Sequence, residues 1–148
     1  MTSRITELWS AHTAPARDGL YRSDGSACEV GIDGAALSWF DLGGPLDLDA
    51  LLDAEPDGVT GIDIHPQCLA ELPGGAGHVC GGDGALGSEG FFARLDSGRN
   101  LVWLVSPADS NPFVKVEVRG TIARFVNNLG NSITVDLASP AFEAPFSP

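Results

Sequence analysis

The chain has 148 residues, of which 43% are hydrophobic, enough apolar material for one ordinary core. Eight Lys and Arg face twenty Asp and Glu, giving a formal net charge of −12 that repels nucleic acid and anionic membrane and so argues against either as a direct partner. No segment approaches the ~18 uninterrupted apolar residues of a membrane span, residues 1–9 lack the apolar centre of a secretory leader, and Cys28, Cys68 and Cys80 are irregularly spaced. Together these point to a cytoplasmic protein with reduced thiols.

Taken in order, Ser3 is placed to cap a short helix in which Ile5, Leu8 and Trp9 form one apolar stripe, ending before Pro15. Residues 19–23 read as a short strand. Residues 27–32 and 35–41 follow as a pair joined at Asp33-Gly34, a dipeptide that favours a tight hairpin. Gly43-Gly44-Pro45 breaks the chain, and residues 46–54 predict a two-turn helix with Asp47 or Asp49 near its positive end. Residues 59–64 read as a strand, and His65-Pro66 as the start of a short helix. Eight glycines among residues 73–90 predict a loop.

The C-terminal third predicts a hairpin of residues 91–96 and 101–106, with the second strand apolar on both faces, and then a meander of 113–118, 121–126 and 132–137. Symmetric closure of its loops sets Val118 opposite Thr121, Val116 opposite Ala123, Phe125 opposite Ile133 and Ala123 opposite Val135, which leaves one face apolar throughout. The same register puts Lys115 opposite Arg124 with Glu117 on the diagonal. The proline-containing tail from 138 should be irregular. The expected fold is therefore α+β: one domain over residues 1–148, mainly antiparallel sheet with a C-terminal meander and two or three short helices.

Charge is the least ordinary feature. Between Ser23 and Ala93 there are thirteen acidic residues and no Lys or Arg, whereas residues 94–124 hold five cations against three acids. Carboxylates are common solubilising groups, and net charge speaks to solubility before it speaks to partners. A broad surface of one sign also steers a cationic partner. The densest section, Asp41, Asp47, Asp49, Asp53, Glu55, Asp57 and Asp63, is the candidate docking face for a basic protein.

Other motifs are weaker. Asp53-Ala-Glu55-Pro-Asp57-Gly58 copies the first half of a calcium-binding loop, but Ile64 stands where the bidentate Glu belongs. His65, Cys68, His78 and Cys80 offer two nitrogens and two thiolates for zinc, with a His-x-Cys spacing that is not a recurrent zinc signature. Gly82-Asp-Gly84-Ala-Leu-Gly87 matches a dinucleotide pattern without the strand before it and the helix after it. No spacing orders a cysteine against His12, His65 or His78 as a catalytic pair. Trp39, Phe40, Trp103 and Phe113 are expected in the core, and any of them exposed beside the acids would be an interface anchor.

The sequence thus favours a non-enzymatic, acidic binding domain, of the kind a producing bacterial cell needs as an immunity protein or inhibitor that masks a basic toxin. The alternative is a metal- or small-molecule-binding domain, or an enzyme, built on His65, Cys68, His78 and Cys80 with zinc and a glycine lid. Self-association of the acidic and basic poles is a third arrangement.

Overall fold

The structure is a computed structural model that describes residues 3–106, 109–139 and 142. The first helix, α1 (Arg4–Ser10), is capped by Ser3, whose Oγ accepts the Thr6 N–H at 3.4 Å, and it buries Ile5. Strands β1 (Thr13–Pro15), β2 (Gly19–Arg22), β3 (Ala27–Ile32) and β4 (Phe40–Leu46) follow, then α2 (Leu48–Ala54), capped by Asp47 through the Ala50 N–H at 3.1 Å. The remaining strands are β5 (Val59–Glu71), β6 (His78–Gly84), β7 (Gly90–Leu95), β8 (Leu101–Ser106), β9 (Phe113–Arg119), β10 (Ile122–Asn127) and β11 (Ser132–Asp136).

Eight strands form one antiparallel sheet in the order β1-β5-β6-β7-β8-β2-β3-β4, and β11-β10-β9 form a second, smaller one. The large sheet carries a core on each face. On one side Phe92, Trp103 and Val105 meet Phe113, Ala123, Phe125, Ile133 and Val135 of the small sheet. On the other, Tyr21, Phe91, Ala93 and Leu104 lie beneath Ile5 of α1 and Leu48 and Leu52 of α2. Because β8 sits between β7 and β2 in the middle of the sheet, it needs apolar residues on both faces, and its sequence supplies them. Phe92 anchors the inter-sheet core, stacked on Phe125 at 4.4 Å and edge-on to Phe113 at 5.3 Å. The molecule is thus a compact α+β domain of predominantly antiparallel sheet, and among the described residues no helix is long and apolar enough to cross a membrane.

Four expectations about turns and element boundaries are corrected first. The Asp33-Gly34 turn is not a two-residue hairpin. Strands β3 and β4 do pair, Ile32 opposite Phe40, but across a loop that holds a short 3-10 turn at Gly34–Ala36 and is closed by Asp33 accepting the Ser38 N–H at 2.9 Å. Gly43-Gly44-Pro45 does not end the strand, because β4 is an edge strand and an edge position tolerates a missing N–H. The helix expected from Pro66 is instead the middle of β5, where residues 65–68 bulge away from β6 between the pairs Ile64–Gly82 and Leu69–Cys80. The glycine-rich stretch contains β6, paired on both sides.

The meander forms with β10 and β11 in the expected register, Phe125 opposite Ile133. Strands β9 and β10 are offset by two residues from expectation, Val118 facing Ala123 and Val116 facing Phe125, because the turn is Gly120-Thr121 with Gly120 at φ 62°. A shift of two keeps every side chain on its face. It also sets Glu117 opposite Arg124, so an ion pair replaces the expected opposition of Lys115 and Arg124. Trp103 and Phe113 are fully buried and Phe40 half-buried, but Trp39 is 48% exposed, contrary to its expected place in the core. The tail from 138 lies largely outside the described residues; Phe142 within it packs on Trp103 at 5.0 Å.

Candidate functional site

The acidic residues divide by what the fold does with them. Asp24, Asp33 and Glu89 close turns: Asp24 accepts the Ser26 N–H at 2.8 Å, Asp33 serves Ser38, and the buried Glu89 accepts Thr60 Oγ1 at 2.8 Å and the Leu86 N–H at 3.0 Å. These carboxylates are structural. The hydrogen bonds from Ser38, side chain foremost, hold the Asp33 carboxyl below its ordinary range.

All seven candidate residues, Asp41, Asp47, Asp49, Asp53, Glu55, Asp57 and Asp63, are exposed, but they do not form one patch. Five of them, Asp47 to Asp57, lie on α2 and the turn that leaves it. Helix α2 turns Leu48 and Leu52 into the core, which leaves Asp49 and Asp53, one turn apart, on the solvent side. Arg4 of α1 reaches both, at 3.8 Å and 3.4 Å. Glu55 and Asp57 lie beyond the helix C-terminus, where the helix dipole is already negative, and Arg17 lines a small cleft with Glu55. Asp41 sits on edge strand β4 and Asp63 on β5, with five strands between them in the sheet order. Asp63 faces Asp83 directly across β5 and β6.

Trp39 lies two residues before Asp41 on the same stretch of chain, its ring resting over Gly31, where an added Cβ would meet Trp39 Cζ3 at 3.0 Å. The ring is thus half-exposed, with Asp41 two residues along the chain. The expected basic pole is weaker than the sequence suggests. Glu117 takes Lys115 at 3.4 Å and also pairs with Arg124, which hold its carboxyl below the ordinary range, Arg124 foremost. Arg94 turns inward to donate to the Leu137 carbonyl at 3.2 Å.

The His and Cys residues are not brought together. Cys68 is buried in the core between the sheets and Cys80 in the core beneath the helices, on the opposite face of the large sheet. Burial pushes both thiols up to about 12, which keeps them protonated and poor as nucleophiles. His65 is occupied locally, its Nδ1 accepting the Gln67 N–H at 3.2 Å. Among the described residues no group of three His, Cys, Asp or Glu is placed to hold a metal ion, and His65, Cys68, His78 and Cys80 do not converge on one point. Gly82 and Gly84 belong to β6 and serve strand contact: a Cβ on Gly82 would overlap the Asp63 carbonyl oxygen and one on Gly84 would overlap Glu89.

An open cleft of about 1020 Å³ lies between α1, β5 and the β7–β8 turn. Its helical wall presents Ser3, Thr6, Glu7 and Ser10, spaced to share one face, and its opposite rim Arg99 and Asn100. Trp9, Ile62 and Leu101 supply the apolar part. No local motif announces this cleft, because α1 and the β7–β8 turn are some ninety residues apart and meet only once the large sheet is assembled. Comparison with models of known families, with curated proteins and with solved structures finds no match for the chain.

Proposed function

We propose that this protein is a binding domain that neutralises a basic protein partner, such as a toxin, by covering its cationic surface with the outer face of α2. The observation that carries this reading is the run of five exposed acids from Asp47 to Asp57, beside which the described residues place Arg4, paired with Asp49 and Asp53, and Arg17, which shares a small cleft with Glu55 but pairs with Glu29. Opposed charge of this density accelerates encounter and fixes orientation, while apolar contact supplies most of the affinity. Trp39 and Asp41 on the β4 edge form a second contact of the same kind, an aromatic face that accepts Arg or Lys with a carboxylate beside it. Binding, not chemistry, is the proposed role.

The test uses the native cell extract passed at low salt over the immobilised chain. The expected retained protein has a pI above about 9, elutes as salt rises, and loses its own activity when mixed with the chain in equal amounts. The variant Asp49→Lys/Asp53→Lys/Glu55→Lys/Asp57→Lys leaves the Asp47 cap intact and should weaken that complex by at least about tenfold. Binding indifferent to salt and to the variant would overturn the proposal.

A further inference from the structure

The cleft beneath α1 lies apart from the acidic α2 face. Charged groups of both signs line it. Glu7 and Asp63 are acids, Arg99 is a cation and His12 stands beside them, and among the described residues none of the four side chains makes a hydrogen bond or ion pair. Opposite charges around one concavity that have not closed on one another leave a polar gap between them, and a ligand able to satisfy both signs fits it. An inorganic anion would meet the carboxylates, and a metal cation would meet Arg99. A neutral polyol would leave all the charges unused.

The mounts of these groups are rigid. Arg99 stands at φ 64° in a turn fixed by Asp96, which accepts the Gly98 N–H at 2.9 Å and the Asn100 N–H at 2.8 Å. His12 stands at φ 59°, its carbonyl accepting the Ile62 N–H at 2.9 Å and tying the end of α1 to β5. The backbone beneath them is thus already ordered, and a ligand has only the side chains left to fix. Trp9, Ile62 and Leu101 provide an apolar strip, with Trp9 held edge-on to Phe91 at 5.9 Å. We infer that the cleft binds an amphoteric small molecule with an apolar body, a short peptide with both ends free, its ammonium on Glu7 and Asp63, its carboxylate on Arg99, and its side chains on the apolar strip.

The volume, at the upper end of ordinary ligand pockets, accepts two to four residues. The probe is the dipeptide Leu-Leu, titrated into labelled protein and followed by amide NMR. Saturable shifts are expected at Glu7, Ser10, His12, Asp63 and Asn100. N-acetylated or C-amidated Leu-Leu should bind at least about fivefold more weakly. Arg99→Gln should abolish the penalty of amidation while keeping that of acetylation, and Glu7→Gln/Asp63→Asn the reverse; all three positions are exposed, and the spectrum itself reports that the variants are folded. No saturable shift up to about 10 mM, blocked peptides that bind as well as the free one, or shifts gathered away from the cleft would each overturn the inference.

Discussion

Asn127 organises one end of the molecule through a single amide. Its Nδ2 donates to the Ala35 and Ser110 carbonyls, both at 2.9 Å, and its Oδ1 accepts the Leu129 and Asn131 N–H groups, both at 3.0 Å. Asn127 itself is 1% exposed, and its bond to the Ser110 carbonyl is buried. Asn127→Ala takes away the partner of the Ser110 carbonyl and of the Leu129 and Asn131 N–H groups, while the Ala35 carbonyl keeps Asn131 Nδ2 at 2.9 Å, and should cost about 1–3 kcal/mol, read from urea unfolding with an unchanged slope. Asn127→Asp keeps the acceptors and loses both donors, and should be no better. The sequence displays Asn127-Asn-Leu-Gly-Asn131 as a turn and stops there. That the first of these asparagines reaches back to Ala35, ninety-two residues earlier, is a fact of tertiary packing that no local pattern carries.

At the scale of elements, β6 shows why composition misleads. Glycine is read as loop because it lacks a side chain to pack and loses the most freedom on folding. In β6 the missing side chains are the point: a Cβ on Gly81 would lie 2.8 Å from the Phe91 carbonyl oxygen and 2.9 Å from Cys68 Sγ, and one on Gly82 would strike the backbone of β5 at its bulge. Gly82→Ala should therefore destabilise by about 3 kcal/mol or more, whereas Gly61→Ala, with open space around it, should stay within about 0.5 kcal/mol; thermal unfolding of the pair separates the two. The elements that were legible had a second signal besides composition. Helix α1 had a cap and a stripe, α2 an acid at its start, and β10 and β11 an alternation that a one-residue slip would invert. The β9 register was legible to its face but not to its pairing, since a slip of two preserves alternation and only the pairing of Glu117 with Arg124 distinguishes them.

For the whole molecule, the two buried thiols lie on opposite faces of the large sheet and report on both cores at once. Burial raises Cys68 and Cys80 from 9.0 to about 12 and, as the largest influence, pushes the Tyr21 phenol up from 10.0. Each raised group contributes its full stabilisation below its unfolded value. That contribution is lost as pH climbs from 9.0 toward the folded values, because the unfolded chain releases protons that the folded chain keeps. Urea unfolding between about pH 8 and 11 should show stability falling with pH, and Cys68→Ala/Cys80→Ala, less stable overall, should show a shallower fall. The acidic surface was legible as a count, whereas its division into turn-closing carboxylates, the α2 face and the separate Asp41 and Asp63 depended on where the large sheet sends each strand. The exposure of Trp39 and the cleft were invisible for the same reason.

The pairing of β2 with β8 sets Leu20 beside Val105, and β3 and β4 join the sheet only through β2. A ribosome delivering this chain therefore releases more than eighty residues before β2 gains its second neighbour, and until then the β2–β4 ribbon offers an open edge with nothing to pair. Closing so long a loop is a slow entropic step, which places the chain among folders limited by non-local pairing and makes β8, the most apolar strand, the one whose arrival commits the sheet.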